Sequence, residues 1–286
     1  EVPLRLVGSE MCIRDSISLA GFGGEQAAEA SIRNRVRGTV SVMGKPVADA
    51  SVTLWTTRGG QKPEQVNTVR SKKDGSFSVS VKPKDGTVHY LTTSGGTVNK
   101  SNVDRLTMLT VLDGTEQGKA VINERTTVGS IWPNAQQLRG DQLIGSTNAL
   151  AIGSGHVKHL VNQSTGQFGT TLLNGFNLLS SETAARINVL SNLLALCGDA
   201  NQAKDCTQLL EITGTKNSLD AMTSIAKLPW KNTNELYQLF DENYPLGNNS
   251  ERRTTASLPY LLFQPDSFSL SIRLQGGCLL YTSDAA

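Results

Sequence analysis

The sequence predicts an α+β fold, in which an antiparallel β-sandwich is followed by a mainly α-helical domain with flanking strands. Between residues 31 and 97, short segments alternate apolar and polar side chains, which is typical of strands with one buried face. Turn residues recur there roughly every 8–12 positions, a spacing that favours an antiparallel sandwich. Beyond residue 125, apolar residues recur at helical spacing instead. The change of period places the sheets before the helices.

The first predicted domain spans residues 31–97. Asp74-Gly75 is a strong hairpin signal, because glycine adopts a positive φ without steric cost. Gly44 and Gly86 mark two further turns. The alternating segments, each predicted to be a strand, are residues 35–42, 50–56, 65–69, 77–81 and 87–91.

Four segments of this domain carry a resemblance to a known family. They are Gly38-Thr39-Val40, residues 45–52 (KPVADASV), Thr68-Val69 and residues 73–79 (KDGSFSV). In this pattern the domain resembles the carboxypeptidase-regulatory-like, prealbumin-like domain of bacterial surface proteins. The resemblance implies a structural spacer or binding module without catalytic residues of its own. It implies only turn and core roles for the matching residues.

The second predicted domain, residues 98–277, begins with strands over 104–112 and 119–123 and ends with a strand over 268–274. Between them lie predicted helices, some of which begin after a side chain able to cap a helix. Pro133 should kink or end the first helix. The predicted helices are 127–138 after Thr126, 146–161 from Ser146, one after Ser181 with Ile187, Leu190, Leu193, Leu194 and Leu196 on its apolar face, 219–228 after Ser218, and 235–241 from Asn232 or Thr233.

A second resemblance covers most of residues 100–277. The segments that carry it are 121–132 (VINERTTVGSIW), 194–197 with 206–210 (LALC and CTQLL), 217–226 (NSLDAMTSIA) and 263–272 (FQPDSFSLSI). This region resembles the front part of exported bacterial proteins with NHL-repeat or lyase-like propellers. The resemblance implies that a propeller follows the stretch equivalent to residues 274–277.

Both ends of the chain read as translated sequencing adapter. Residues 6–16 (LVGSEMCIRDS) and 278–286 (CLLYTSDAA) match adapter DNA in opposite orientations. We therefore expect residues 1–16 and 278–286 to be adapter-derived, and residues 17–277 to be a fragment truncated at both sides. Segments of this kind are excluded from reasoning about the fold.

Residues 17–30 are interpreted as the remnant of a leader or signal peptide. Ala28-Glu29-Ala30 has the small-x-small form that signal peptidase accepts. Leu19-Ala20-Gly21 alternatively begins a lipoprotein box, although Phe22 stands where the lipidated cysteine would be. A disordered leader is the third interpretation. The expected location is extracytoplasmic (periplasmic, cell-surface or secreted), with a lipid anchor as an open alternative.

Charge and hydropathy exclude two classes of partner. The chain has 27 Lys and Arg against 25 Asp and Glu, and its adjacent basic pairs are Lys72-Lys73 and Arg252-Arg253. A nucleic-acid interface needs basic residues clustered on one face, so no nucleic-acid partner is expected. No run of 18 apolar residues occurs, so no transmembrane helix is expected in the fragment. The sequence makes no prediction about oligomeric state.

Cys197 and Cys206 flank a short loop between two predicted helices. A disulfide is the favoured prediction, and it would require an oxidising compartment, as export would provide. Free buried thiols are the second alternative. A zinc site is the third, because zinc would need two more ligands that the neighbouring sequence lacks.

Other candidate residues carry weaker signals. His156 and His159 share one face of a predicted helix without a third metal ligand, and His89 is expected to be partly buried. Gly153-Ser154-Gly155-His156 lacks the spacing of a serine-hydrolase nucleophile. Asp74, Asp85 and Asp113 lie in or near glycine turns, where hydrogen bonding to the turn explains them. We therefore expect no catalytic, cofactor-binding or metal-binding residues.

The sequence thus predicts a non-catalytic exported or cell-surface module. It would act as a scaffold or binding spacer for a missing downstream domain, with a protein or a glycan at the cell surface as its partner. One alternative is the non-catalytic front end of a propeller-type lyase or another exported enzyme. The other is a carbohydrate-binding β-sandwich. Core packing is the favoured interpretation of Trp55, Trp132 and Trp230, with an exposed Trp55 on an edge strand as the alternative that could stack on sugar.

Overall fold

A computed structural model describes residues 35–81, 86–112, 118–246, 253, 257–274 and 279–281 of the chain. The predicted adapter at 1–16 and leader at 17–30 lie outside these residues, as does most of 278–286. Arg33–Ala286 form one compact unit. Its described parts are mixed α+β, with strands first and helices after them, and this confirms the predicted fold class.

The strands and helices follow the chain in this order. The strands are β1 (Arg35–Val42), β2 (Lys45–Pro46), β3 (Ser51–Arg58), β4 (Glu64–Arg70), β5 (Ser76–Ser80), β6 (Thr87–Ser94), β7 (Thr97–Val98), β8 (Ser101–Asn102), β9 (Thr107–Leu112), β10 (Lys119–Ile122), β11 (Leu138–Arg139), β12 (Gln142–Leu143), β13 (Val161–Asn162), β14 (Gln167–Phe168), β15 (Ser271–Arg273) and β16 (Leu279–Tyr281). The helices are α1 (Glu124–Ile131), α2 (Thr147–Leu160), α3 (Gly175–Ser180), α4 (Thr183–Ala195), α5 (Ala203–Thr213), α6 (Ser218–Lys227) and α7 (Thr233–Asn243).

Two four-stranded sheets form a sandwich-like pair. One sheet has the order β4-β3-β6-β9, with antiparallel neighbours throughout. In the other, β1 pairs antiparallel with β2 and β5 and parallel with β10. Strands β9 and β10 follow residue 97, so each sheet includes a strand from beyond the first predicted domain. In β1 and β5, alternate residues are buried, as the two-residue period predicts.

The close approach of β1 and β10 explains one glycine of the first resemblance. Gly38 pairs with Ala120 in the parallel register. A Cβ atom at Gly38 would lie 1.8 Å from the carbonyl oxygen of Ala120, which no side chain can tolerate. The parallel pair therefore needs glycine at this position.

Strand β9 is the edge of its sheet, and two helices cover that edge with hydroxyl groups. The N–H groups of Thr107, Leu109 and Val111 donate to Ser218 Oγ (2.9 Å), Thr127 Oγ1 (3.3 Å) and Ser130 Oγ (3.1 Å), respectively. Unpaired strand edges invite pairing with other chains, and covering them is one protection. These bonds explain why hydroxyl side chains lie buried in α1 and α6.

Several helix starts differ from the prediction. The N-cap of α1 is Asn123, whose Oδ1 accepts from Thr126 N at 2.8 Å, while Thr126 Oγ1 accepts from Asn123 N at 3.0 Å. The prediction that Thr126 caps this helix was therefore wrong by three positions, because Thr126 is the reciprocal partner in a capping box. The helix ends at Ile131, two residues before Pro133.

The caps predicted at Ser181 and Ser218 were also wrong. Ser181 Oγ donates back to Asn177 O at 2.8 Å, and α4 starts after Glu182 without a side-chain cap. Asn217 caps α6, because Ser218 Oγ is used in the bond to β9 and donates to Thr107 O at 2.7 Å. The helix predicted over 146–161 is confirmed as α2, and the side chain of Ser146 caps it.

The end of the described chain is less regular than predicted. Within residues 268–274, only Ser271–Arg273 is a strand, and it pairs antiparallel with Leu279–Tyr281. Phe268 packs without exposure into the same core as the sheets and helices, and Trp132 Nε1 donates to its carbonyl oxygen at 3.1 Å. None of the described helices combines the length and the apolar character needed to cross a bilayer.

Candidate functional site

Cys197 and Cys206 form a disulfide, with their Sγ atoms 2.02 Å apart. Cys197 lies in a 3-10 turn after α4, and Cys206 lies in α5. The bond therefore joins the end of one helix to the first turns of the next. The neighbouring Gly198 lies against Val42, since an added Cβ there would be 2.4 Å from a Val42 methyl group. The cross-linked turn thus packs on the end of β1.

The histidine and serine residues singled out in residues 153–159 of the sequence lie on one helix. His156 and His159 lie on α2 with ring centroids 5.9 Å apart, and His159 Nδ1 lies 2.9 Å from Thr171 Oγ1. Ser154 is inside the same helix and donates to Ala151 O at 3.2 Å. In the part of the chain that the structure describes, no three His, Cys, Asp or Glu residues come together as a metal site would require.

The turn carboxylates are partly accounted for by the structure. Asp74 Oδ1 accepts from Ser76 N at 2.9 Å, and hydrogen bonds from Ser76 lower the pKa of the carboxyl. This is the turn bonding predicted for it. Asp85 and Asp113 lie outside the described residues.

Trp55 cannot serve as a platform for sugar stacking. It lies on β3, an inner strand between β4 and β6, and only 9% of its surface is exposed. Its Nε1 donates to Thr92 Oγ1 at 2.9 Å, and its ring stacks near Tyr90 with centroids 6.2 Å apart. Core packing, the favoured interpretation of Trp55, is confirmed. The alternative of an exposed edge residue was wrong, because β4 pairs along the outer side of β3.

A cleft that the sequence did not predict lies at the carboxyl end of the β1–β10 parallel pair. Its cavity volume is about 340 Å³. The cleft is lined by Thr39, Ser41, Met43, Gly44, Val121, Asn123, Glu124, Arg125, Thr165, Gln167, Ser191, Asn192, Ala195 and Ser257. Thr39, Gly44, Thr165 and Gln167 are exposed at its mouth, whereas Glu124, Ser191, Asn192 and Ala195 are buried.

The parallel register builds this cleft. Thr39 pairs with Val121, so both strands end at the same side, and the chain passes from β10 through Asn123 into α1. Asn123 Nδ2 also donates to Gly166 O at 3.2 Å, which holds the turn between β13 and β14 at the rim. Carboxyl ends of parallel strands are a recurrent place for ligand sites in α/β sheets.

Glu124 is the buried carboxylate of the cleft. It accepts a hydrogen bond from the N–H of Met43, a residue with φ of 49° in the turn between β1 and β2. Burial raises the pKa of Glu124, and the bond from Met43 opposes that shift only in part. The carboxyl of Glu124, at the start of α1, thus stabilises the turn between β1 and β2.

Glu124→Gln should make stability less dependent on pH. A carboxyl whose pKa is raised by folding binds its proton more tightly in the folded state. Its contribution to the free energy of unfolding is therefore full below the unfolded pKa near 4.5 and is lost as pH rises through the folded pKa. Glutamine keeps the acceptor for Met43 and removes this loss. The variant's advantage in free energy of unfolding should grow as pH rises above about 4.5, by at most about 1.4 kcal/mol per unit. Urea denaturation at several pH values measures it; a constant difference would contradict the burial of a titrating Glu124.

Arg125 forms one wall beside the carboxylate. Its guanidinium lies 4.4 Å from the ring centroid of Phe168 and donates to Gln167 Oε1 (2.8 Å) and Asn188 Oδ1 (3.2 Å). Its buried Nε has no hydrogen-bond partner among the described residues. The contacts fix the side chain and leave one donor unused.

Helix α4 supplies two further unused polar groups. Ser191 and Asn192 are each 3% exposed, and neither Ser191 Oγ nor Asn192 Nδ2 has a partner within the described ranges. A buried donor without a partner costs about 1–3 kcal/mol. Asn188, one turn earlier, is fully used, because its Nδ2 donates to Pro259 O at 2.6 Å and its Oδ1 accepts from Arg125.

Replacing Asn188 by leucine and replacing Asn192 by leucine should have opposite effects on stability. Asn188→Leu removes two bonds and leaves Pro259 O without its partner, so we expect a loss of about 1–3 kcal/mol. Asn192→Leu removes an unpaired donor at similar volume, so stability should be unchanged or higher. Chemical denaturation of both variants checks the pair. A large loss in Asn192→Leu would show that its amide is bonded within the fold.

Sequence reasoning missed this site because its parts are far apart in the chain. Residues 121–132 were noted only for a family resemblance, although Glu124 and Arg125 are the charged pair in a segment that is otherwise uncharged. That charged pair directly after a strand was the available signal. Ser191 and Asn192 are polar residues in a mainly apolar helix, and their sequence gives no such signal.

Comparisons with models of protein families, with curated proteins and with solved structures find no match for this chain.

Proposed function

We propose that the chain is a non-catalytic exported module that acts at the cell surface as a scaffold and binding spacer. One observation carries this proposal: the two sheets and the helices share a single hydrophobic core, with the edge of β9 covered by hydroxyl groups of α1 and α6. A body of this kind holds its surface groups at fixed positions, as a spacer requires. The sandwich-like sheets agree with what the resemblance to prealbumin-like domains implies.

The disulfide supports the location of this module. Structural disulfides persist in oxidising compartments and are rare in the cytosol. Cys197 and Cys206 are buried, and their bond closes a short surface connection between α4 and α5. An exported protein would keep this bond.

Thiol labelling of the chain directed to the bacterial periplasm tests whether the disulfide forms in an oxidising compartment, on which the proposed location depends. Alkylation under denaturing conditions without reductant should leave Cys197 and Cys206 unlabelled, as read by peptide mass spectrometry. Quantitative labelling of both cysteines would show that the bond does not form there and would remove its support for the proposed location. The same preparation treated with reductant first is the control, and both cysteines should then be labelled.

A survey of polysaccharides tests the absence of catalysis. The protein purified from the periplasm is incubated with bacterial and plant polysaccharides. The amount of protein retained on each polysaccharide and the release of reducing or unsaturated sugar ends from it are measured. Retention without release supports a binding module. Release of new sugar ends in proportion to the protein would overturn the non-catalytic proposal.

A further inference from the structure

We infer that a cluster of exposed apolar side chains on and just before α3 inserts into the surface of an anionic phospholipid bilayer. The cluster, called here the leucine face, consists of Leu173, Phe176, Leu178 and Leu179. This deepens the proposed function and rests on it for the compartment, because it names the surface that an exported module would contact. Three features support it: the outward direction of the face, the internal bonding of its backbone and the sign of the charges beside it.

Helix α3 has its polar and apolar sides reversed. A helix at a protein surface ordinarily turns its apolar side chains inward and its polar ones to water. In α3, Asn177 is 3% exposed, whereas Leu179 is 90% exposed and the other members of the leucine face are 42–49% exposed. Helical geometry places Leu179 nearly opposite Asn177, with Phe176 and Leu178 at the two sides. A contiguous apolar patch of this kind marks an interaction site more often than a scattered apolar residue does.

The hydrogen bonds of Asn177 hold α3 in this orientation. Its Nδ2 donates to Thr171 O at 2.8 Å and to Arg273 O at 3.0 Å, and its Oδ1 accepts from Arg273 N at 2.7 Å. A rotation of the helix that buried Leu179 would break all three bonds. The outward direction of the leucine face is therefore fixed by the fold.

The backbone at both ends of α3 is bonded to side chains of the same segment. Asn174 Oδ1 accepts from Phe176 N at 3.0 Å. Ser180 Oγ donates to Phe176 O at 2.6 Å, and Ser181 Oγ donates to Asn177 O at 2.8 Å. Backbone groups that approach the acyl chains of a bilayer lose their bonds to water and need partners within the protein. These side chains provide such partners.

Basic side chains lie beside the leucine face. The Arg273 guanidinium lies 4.6 Å from the ring centroid of Phe176. Lys158 is exposed in the last turn of α2, next to His159, whose carbonyl oxygen accepts from Leu172 N at 3.2 Å. The loop that leads into the leucine face therefore packs on the turn that carries Lys158. Long basic side chains next to apolar ones are typical of protein surfaces that lie in a membrane interface.

Acidic residues are absent from this part of the sequence. Residues 142–181 contain no Asp or Glu, and Lys158 is their single Lys or Arg. Glu182, the first carboxylate that follows, pairs with Arg186 at 3.0 Å. Anionic phospholipids attract basic side chains near a membrane surface and repel carboxylates. The charges around the leucine face thus complement an anionic bilayer.

A second copy of the chain fits the same face less well. In a symmetric dimer, each subunit presents the same patch to its partner. Contact through the leucine face would bring Lys158 and Arg273 of both subunits to one interface without carboxylates from residues 142–181 to balance them. An anionic bilayer provides the opposite charge.

Sedimentation of the full chain with phospholipid vesicles tests the inference. One set of vesicles contains phosphatidylcholine alone, and the other contains equal amounts of phosphatidylcholine and phosphatidylglycerol. The chain should sediment with the anionic vesicles and more weakly with the neutral ones. High salt should weaken the binding to anionic vesicles, because salt screens exposed charges.

Four variants locate the contact. Leu179→Asp and Phe176→Ala should each weaken binding to anionic vesicles by about tenfold or more, since each removes apolar area that the bilayer would bury. The double variant Lys158→Gln/Arg273→Gln should weaken binding to anionic vesicles by about tenfold or more and leave binding to neutral vesicles unchanged. Trp230→Ala is the matched control: it removes an exposed aromatic side chain after α6, outside the leucine face, and should leave binding unchanged.

The outcomes that would overturn the inference are distinct from those that would overturn the proposed function. No sedimentation with anionic vesicles would overturn the inference, as would an equal loss of binding in Trp230→Ala and Leu179→Asp. A dimer in solution that Leu179→Asp dissociates, without vesicle binding, would assign the face to a second copy instead. None of these results changes the thiol labelling or the polysaccharide survey, and failure of either of those leaves vesicle binding as measured. Circular dichroism of each variant establishes that it is folded.

Discussion

Trp132→Ala should lower the free energy of unfolding by about 3–5 kcal/mol, the range for removing a large aromatic side chain from a core. Trp132 is 1% exposed in the turn after α1, and its Nε1 donates to the carbonyl oxygen of Phe268. The substitution creates a cavity and leaves that carbonyl group without its partner. Because the bond spans 136 residues of sequence, its loss also frees the segment around Phe268 from the helices.

Trp230→Ala is the matched control for this prediction. The prediction that Trp230 packs in the core was wrong, because Trp230 is 58% exposed after α6. Its removal should therefore change stability by no more than about 0.5 kcal/mol. Urea denaturation followed by circular dichroism measures both variants. Equal losses in the two variants would contradict the assignment of Trp132 to the shared core.

Removal of the disulfide should cost roughly 2.5–3 kcal/mol on the loop-entropy model. Cys197 and Cys206 are separated by nine positions, and the bond restricts the unfolded chain between α4 and α5. The double variant Cys197→Ala/Cys206→Ala should therefore unfold at lower urea concentration than the wild type. Since the cross-linked turn packs on Val42 beside the cleft, the amide of Gly44 should shift in its spectrum as well.

Reduction of the wild-type protein provides the control for the double variant. With reductant, the wild type should lose a similar amount of stability, and the double variant should not respond. A wild type whose midpoint is the same with and without reductant would show that the bond is absent or that it stabilises nothing.

The strands and the fold class could be predicted from the sequence because their signals are local. Two-residue alternation gives β1, β3 and β5 within one or two residues, and the Asp74-Gly75 turn lies where a hairpin should. Such patterns report which face of a strand is buried. They do not report which strands pair.

The helix caps were less predictable because serine, threonine and asparagine compete for the same role. Ser218 is a good capping residue, but β9 needs its hydroxyl, and Asn217 caps the helix instead. Thr126 is the second member of a capping box in which Asn123 is the N-cap. Only the tertiary structure decides between neighbouring candidates of this kind.

The cleft could not be predicted because it depends on a parallel pairing between distant strands. Thr39 and Val121 are 82 positions apart, and Asn192, which also lines the cleft, lies in a helix 71 positions after Val121. Nothing near Gly38 indicates that Ala120 is its neighbour. The need for glycine at position 38 becomes clear only from the position of Ala120 on β10.

Differential scanning calorimetry of the full chain tests the central claim, that the sheets and helices fold as one body, most directly. The shared core predicts one transition, with equal calorimetric and van't Hoff enthalpies. It also predicts that Trp132→Ala, in the helical region, lowers the temperature of that whole transition. Two resolved transitions, of which Trp132→Ala shifts only one, would contradict the claim.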